Sequence, residues 1–105
     1  MKSYKVVFRP MAEDDLLSLY DYIAEHGGRK AAGDYIARIE AVCLSLKQAP
    51  LRGTPRDDIS KGVRIIGFER RAVIVFRVVR SEVVIVRVFY GGRDYERILR
   101  SAPET

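Results

Sequence analysis

The sequence predicts an α+β domain in which two helices pack against one mostly antiparallel sheet. Two neighbouring runs in the C-terminal third, residues 72–79 and 83–90, are rich in Val, Ile and Phe, a composition typical of strands. The links between the strands of that third are short enough to require antiparallel hairpins. Residues 11–48, in contrast, repeat their apolar side chains at helical spacing. Sheet and helices therefore occupy different parts of the chain.

The N-terminal half is predicted to hold one strand followed by a helical hairpin. Pro10 suits the first turn of a helix, and Gly27 with Gly28 breaks the helical pattern. Because each helix is apolar on one face only, the two are expected to run antiparallel and pack on the sheet. The predicted elements are a strand at 5–9, with Val6 and Phe8 on one face, and helices over about 11–25 and 29–48.

The C-terminal half is predicted to hold a loop, three strands and a short helix. The loop is dense in Pro, Gly and charge, and the final helix carries Tyr95, Ile98 and Leu99 inward. At 105 residues the chain is expected to form a single domain over 1–105. The predicted elements are a loop at 50–62, strands at 63–67, 72–79 and 83–90, and a helix over about 93–100.

The register of the last hairpin decides where its two internal arginines point. Pairing Val79 with Val83 across a three-residue loop would place Arg77 and Arg87 on one face of the sheet. A slip of one residue would bury an arginine against the helices, and burying a lone charge is costly. The first register is therefore preferred. It predicts that the face under the helices is wholly apolar, made of Ile74, Phe76, Val78, Val84, Val86 and Val88.

The opposite face, called here the second face, is predicted to surround Arg77 and Arg87 with apolar side chains. An apolar surface of this size left exposed usually marks an interaction site, so a partner is expected. The alternative is that the C-terminal helix folds back over this face while the arginines pair with nearby acids. The apolar members of the second face are Val73, Val75, Val79, Val83, Ile85 and Phe89.

Composition limits the kinds of function that the chain can have. The net charge is +5, with acids clustered early and arginines dominant from Arg52 onward, which suggests either an anionic partner or a solvated basic face. The single Cys43 is expected to be buried as a small hydrophobe in a reducing compartment. With one histidine as well, no metal site or cofactor is expected. No apolar run is long enough to span a bilayer and no signal peptide is recognisable, so a cytoplasmic location is expected.

Three segments carry a family resemblance that covers nearly the whole chain. They read R-G-T-P-R-D-D from Arg52, K-G-V-R-I-I-G from Lys61 and V-R-V-F-Y-G-G-R-D-Y-E from Val86. Together with the predicted order of elements, they resemble the RelE/ParE superfamily of toxins from bacterial type II toxin–antitoxin pairs, in its ParE branch. The resemblance implies inhibition of DNA gyrase and a cognate antitoxin. That antitoxin would be a ParD-like, DNA-binding dimer that forms a hetero-oligomer with the toxin.

The RelE branch implies a second mechanism, cleavage of mRNA on the ribosome. That chemistry needs a base, an acid and cations at the scissile phosphate, for which this chain offers Arg64, Arg77 and Arg87 as cations and Tyr90 as acid or base. An unperturbed tyrosine is a poor base at neutral pH, and His26 is expected to be solvent-exposed in the turn between the helices. This catalytic set is incomplete, so a gyrase inhibitor without catalysis of its own is favoured. A small basic nucleic-acid-binding domain remains a further alternative.

Five residues on the last two strands and in the segment that follows them are predicted to bind the antitoxin or the target. Among them Arg87 is the preferred candidate, because the chosen register places it on the second face. Asp94 is expected to cap the final helix. The predicted binding residues are Arg77, Arg87, Phe89, Tyr90 and Arg93.

Overall fold

A computed structural model describes residues 3–101 and confirms the predicted α+β class. The helical hairpin, the three C-terminal strands and the final helix all form where the sequence predicts them, within one to three residues at each end. The loop at 50–62 contains an additional two-residue strand. In chain order the elements are β1 (Lys5–Phe8), α1 (Pro10–Gly27), α2 (Arg29–Ser45), β2 (Thr54–Pro55), β3 (Val63–Phe68), β4 (Ala72–Val79), β5 (Glu82–Tyr90) and α3 (Tyr95–Ser101).

The sheet has five strands in the order β1-β5-β4-β3-β2. β1 runs parallel to β5, and the helical hairpin between β1 and β2 provides the long connection that a parallel pair needs. The remaining neighbours are antiparallel. β1 pairs only with the first half of β5, ending at Phe8 opposite Ile85. The second half of β5 therefore pairs with β4 alone, and on the side where β1 has ended it lies beside α1.

The predicted register of the last hairpin is wrong at its turn and right at its far end. Val79 pairs with Glu82 across a two-residue turn, so the strands are shifted by one residue near the turn. A bulge at Val86 then absorbs one residue, and beyond it Val75 pairs with Arg87 as predicted. Because each one-residue shift exchanges the two faces, Val84 and Val86 lie on the second face, and Val83 and Ile85 lie under the helices.

The core under the helices follows the predicted apolar stripes. Tyr35, Ile39 and Cys43 of α2 pack with Leu16 and Leu19 of α1 against the sheet. Cys43 is fully buried, as predicted, and burial raises the pKa of its thiol to about 12. The thiol is therefore an inert part of the core. Within residues 3–101 no helix is long and apolar enough to cross a membrane.

The second face is covered, which corrects the prediction of an open apolar groove. Leu99 of α3 and Ile59 of the long loop are both buried there, against Val75, Val84 and Phe89. Tyr95 and Ile98 add partly buried contacts from the same helix. An apolar face of this size is stabilised by excluding water, and the chain does this with its own last helix.

Candidate functional site

The structure brings the predicted arginines Arg64 and Arg77 into contact with the long loop. Arg64 donates from Nε to the carbonyl oxygen of Arg52 at 3.1 Å and from Nη2 to that of Leu51 at 2.5 Å. Arg77 donates to the carbonyl oxygen of Lys61, and to Oγ of Ser60 at 2.7 Å. Both guanidinium groups satisfy loop acceptors that would otherwise lack partners, so both have a structural role in holding residues 51–61 to the sheet.

Arg87 forms an ion pair with α1 instead of facing outward. Its Nε lies 2.8 Å from Oδ2 of Asp15, and its Nη2 lies 3.0 Å from Oδ1, a bidentate geometry. Oδ2 also accepts the backbone N–H of Val88 at 2.8 Å. The two side chains are only 12% and 11% exposed. The guanidinium carbon also lies 4.6 Å from the ring centroid of Phe89. Arg87 thus joins α1 to the half of β5 that β1 does not reach.

Tyr90 lies where three surface clefts meet at one end of the sheet. Its ring packs 5.9 Å from that of Tyr22 and 5.8 Å, edge-on, from that of Tyr35. It borders clefts of about 420, 360 and 240 Å³. The largest lies between α1 and the end of β5, where Asp15, Leu19, Tyr22 and Arg93 also line it. Of the five predicted binding residues, Phe89, Tyr90 and Arg93 line these clefts, and Phe89 is almost fully buried.

Phe89 and Tyr35 support this end of the sheet from its two opposite faces. Phe89 is 2% exposed, and the guanidinium carbon of Arg93 lies 5.4 Å from its ring centroid. Tyr35 is buried, and its hydroxyl has no hydrogen-bond partner among residues 3–101. Burial, followed by the neighbouring Tyr90, raises the pKa of Tyr35. Phe89 therefore positions Arg93, and Tyr35 positions Tyr90.

Two further arginines at this end of the sheet were not predicted as site residues. Arg70 and Arg71 follow Glu69 in the turn between β3 and β4, and with Arg93 they line the cleft of about 240 Å³. The backbone N–H of Gly91 donates to the carbonyl oxygen of Arg71 at 2.8 Å, which ties that turn to the end of β5. The signal in the sequence that could have identified them is the pair of adjacent arginines in the triplet E-R-R, which lies in the turn between two strands.

The long loop and α3 are joined by an ion cluster that sequence reasoning also missed. Arg56 binds both carboxylate oxygens of Asp58, at 2.9 and 2.8 Å, and contacts the carboxylate of Glu96. Arg100 reaches the same Asp58 at 3.2 Å. Arg56 lowers the pKa of Asp58 to about 2, chiefly by hydrogen bonding. As predicted, Asp94 caps α3, since its Oδ1 accepts the backbone N–H of Arg97 at 3.2 Å.

The single histidine lies at the end of α1 and is exposed, as predicted. Its Nδ1 is 2.7 Å from the carbonyl oxygen of Tyr22, and its ring centroid is 4.3 Å from that of Tyr22. His26 thus extends a row of rings that begins at Tyr90. Among residues 3–101 there is no cluster of His, Cys, Asp and Glu that could hold a metal ion.

Comparison with known proteins identifies a family model and solved structures that are similar to this chain. Residues 6–95 match the family model of the ParE toxin of the type II toxin–antitoxin system parDE. Among solved structures, one from a chromosomal ParDE system of P. aeruginosa is 26% identical with a TM-score of 0.75, and the match covers 85% of this chain and 97% of that one.

A second solved structure shares the fold at lower identity. It comes from the RelBE2 toxin–antitoxin complex of Mycobacterium tuberculosis and is 22% identical with a TM-score of 0.63. That match covers 89% of this chain and 97% of the other. No curated protein matches the sequence. The family model spans most of the chain, from β1 to the start of α3, and this chain therefore belongs to the ParE toxin family of type II toxin–antitoxin systems.

Proposed function

We propose that this ParE-family toxin inhibits DNA gyrase through protein contacts and performs no catalysis of its own. The observation that carries the proposal is the structural role of the three arginines that the sequence offers as cations for an RNase. Arg64 and Arg77 bind the long loop, and Arg87 is paired with Asp15. A cation that stabilises a scissile phosphate must point to where the charge develops. Each of these groups is instead satisfied by another part of the chain.

Neutralisation by a cognate, ParD-like antitoxin is the second part of the proposal. The cleft of about 420 Å³ between α1 and β5 offers an apolar floor at Leu19, an aromatic wall at Tyr22 and Tyr90, and a cation at Arg93. A segment that folds on binding can cover such an extended surface and can be removed again by proteolysis. Tyr90 and Arg93 are proposed as direct contacts, with Arg87 and Phe89 supporting them.

Ribosome-dependent mRNA cleavage is the alternative, and one observation favours it. Tyr90 borders the cleft that Arg70, Arg71 and Arg93 also line, so a tyrosine and three cations do meet in one place. An activated tyrosine there could move a proton at a scissile phosphate. This arrangement uses other arginines than the ones the sequence predicted for an RNase.

Pulse-labelling of cells in the first minutes after induction, with no antitoxin present, separates the two mechanisms. A gyrase inhibitor is expected to stop DNA synthesis first while protein synthesis continues. Failure of protein synthesis first, with cleaved mRNA, would overturn the gyrase proposal in favour of the RNase. Uninduced cells carrying the same gene serve as the control.

A further inference from the structure

The cleft at the end of the sheet carries positive charge that the described part of the chain does not neutralise. Arg70, Arg71 and Arg93 line it and are all exposed. Within residues 3–101 none of the three guanidinium groups has an acidic partner. Glu69, which precedes Arg70, is held by Arg38 of α2 at 2.8 and 3.0 Å, and this contact lowers its pKa. Asp94, which follows Arg93, caps α3 through its Oδ1. We call this site the arginine cleft.

The backbone holds the three arginines together from two directions. Arg70 and Arg71 come from the β3–β4 turn, whose N–H at Arg71 donates to the carbonyl oxygen of Phe68 at 3.1 Å. Arg93 follows Gly91 and Gly92, which both have positive φ, at +75° and +71°. The bond from the Gly91 N–H to the Arg71 carbonyl connects the two loops. The cleft is therefore built by tertiary structure and is more than a run of charge along the sequence.

The shape and lining of the arginine cleft indicate which ligand it fits. At about 240 Å³ it is smaller than a typical small-molecule pocket, so it suits one unit of a polymer. Tyr90 and Tyr95, which are partly exposed, line it beside the arginines, whereas the third ring, Phe89, is only 2% exposed. Arginines that follow a phosphate backbone, interleaved with aromatic rings on which bases stack, are the usual composition of single-strand nucleic-acid sites.

We propose that the arginine cleft binds the phosphodiester backbone of single-stranded nucleic acid. Arg70, Arg71 and Arg93 contact phosphates, and the ring of Tyr90 stacks on a neighbouring base. Guanidinium groups favour such contacts because they offer paired N–H donors to phosphate oxygens. The proposal goes beyond gyrase inhibition, since it concerns direct binding of the toxin to nucleic acid in the absence of gyrase. It adds a second binding activity at the same end of the molecule.

Fluorescence anisotropy with a labelled, mixed-sequence oligonucleotide tests the proposal on the full chain. Affinity is expected to fall with salt, because each phosphate contact releases counterions. Arg70→Gln and Arg93→Gln are each expected to weaken binding and to reduce the slope of log K against log[salt] by about 0.7. Tyr90→Ala is expected to weaken binding while leaving that slope unchanged. DNA and RNA versions of the probe show which backbone is preferred.

Arg80→Gln is the matched control. Arg80 is also exposed, also lies in a hairpin turn, and has φ +57° against +59° for Arg70, but it is at the opposite end of the strands. It is expected to leave affinity and salt slope unchanged. An equal loss of oligonucleotide affinity in Arg70→Gln and Arg80→Gln would show that only net charge matters and would overturn the arginine cleft as the binding site. Displacement of the oligonucleotide by polyglutamate at equal charge concentration would overturn nucleic acid as the ligand. Either failure leaves gyrase inhibition untouched.

Discussion

At the scale of single residues, the pair Arg87–Asp15 shows how a residue with the features of a recognition site can be structural. An arginine inside an apolar strand, predicted to face outward, is a reasonable candidate for binding a partner. In the structure, a carboxylate 72 positions earlier in the chain neutralises it. Sequence alone could not reveal that pairing, because nothing local links a helix residue to a strand so far along the chain.

We predict that Asp15→Ala lowers the free energy of unfolding by about 3 kcal/mol, because it leaves a nearly buried guanidinium without its partner. In a domain of this size that corresponds to a loss of roughly 10 °C or more in Tm. Thermal or urea denaturation measures it. The control is Asp14→Ala, which removes an exposed carboxylate one position away. Equal stability of the two variants would show that the pair contributes nothing to the fold.

Because Arg87 is paired with Asp15, a charge reversal at Arg87 would measure its effect on the fold and would not test antitoxin recognition. Arg87→Glu would place two carboxylates face to face at a site that is 12% exposed, and like charges so placed repel strongly. Loss of antitoxin binding in that variant would therefore reflect loss of the fold. Arg93, which is exposed and rests on Phe89, is the residue at which recognition can be tested without that complication.

At the scale of elements, the position of α3 was predicted correctly from the sequence, but its role in covering the second face was not. Its boundaries and its cap at Asp94 followed from local signals, as did its inward residues Ile98 and Leu99. It covers the second face through Leu99 and its apolar neighbours, and the ion cluster of Arg56, Asp58, Glu96 and Arg100 joins it to the long loop. That cluster unites segments about 40 residues apart, beyond the reach of helical periodicity.

We predict that this ion cluster makes the stability of the domain sensitive to acid. The folded-state pKa of Asp58 is lowered to about 2 from an ordinary value of 3.8. Its contribution is therefore present above about pH 4 and is lost as the pH falls through about 2. The difference in Tm between the native chain and Asp58→Asn is expected to be constant from pH 7 to 5 and to vanish between about pH 4 and 2.

The control for the acid prediction is Asp14→Asn, which removes a carboxylate outside the ion cluster. Its difference in Tm from the native chain is expected not to show this change. A difference for Asp58→Asn that stayed the same at every pH would contradict the role of Asp58 in holding α3.

The last hairpin shows the limit of prediction at this scale. Its strands were placed to within one residue, but the register depended on a two-residue turn at Arg80 and Ser81 and on a bulge at Val86. The turn lacks the Asn-Gly or Gly pattern that announces a two-residue hairpin. The bulge lies in an unbroken run of Val and Ile, where no residue marks the extra position. The prediction of an open groove on the second face was also wrong, because α3 covers that face.

At the scale of the whole molecule, we propose that partners bind at the end of the sheet where Tyr90 lies, because both broad faces of the sheet are covered. One side of the sheet is buried by the helical hairpin and the other by α3 and the long loop. The clefts around Tyr90 join an apolar and aromatic surface on α1 to the arginine cleft. A toxin of this family could thus present protein-binding and nucleic-acid-binding surfaces side by side.

The most direct test of the central claim is a supercoiling assay with purified DNA gyrase and this chain, read on relaxed plasmid. If the toxin inhibits gyrase directly, supercoiling is expected to stop as the toxin is added, in a reaction that contains no ribosome. Undiminished supercoiling at saturating toxin, together with cleavage of ribosome-bound mRNA by the same preparation, would contradict it. The activity would then belong to the tyrosine and arginines of the cleft.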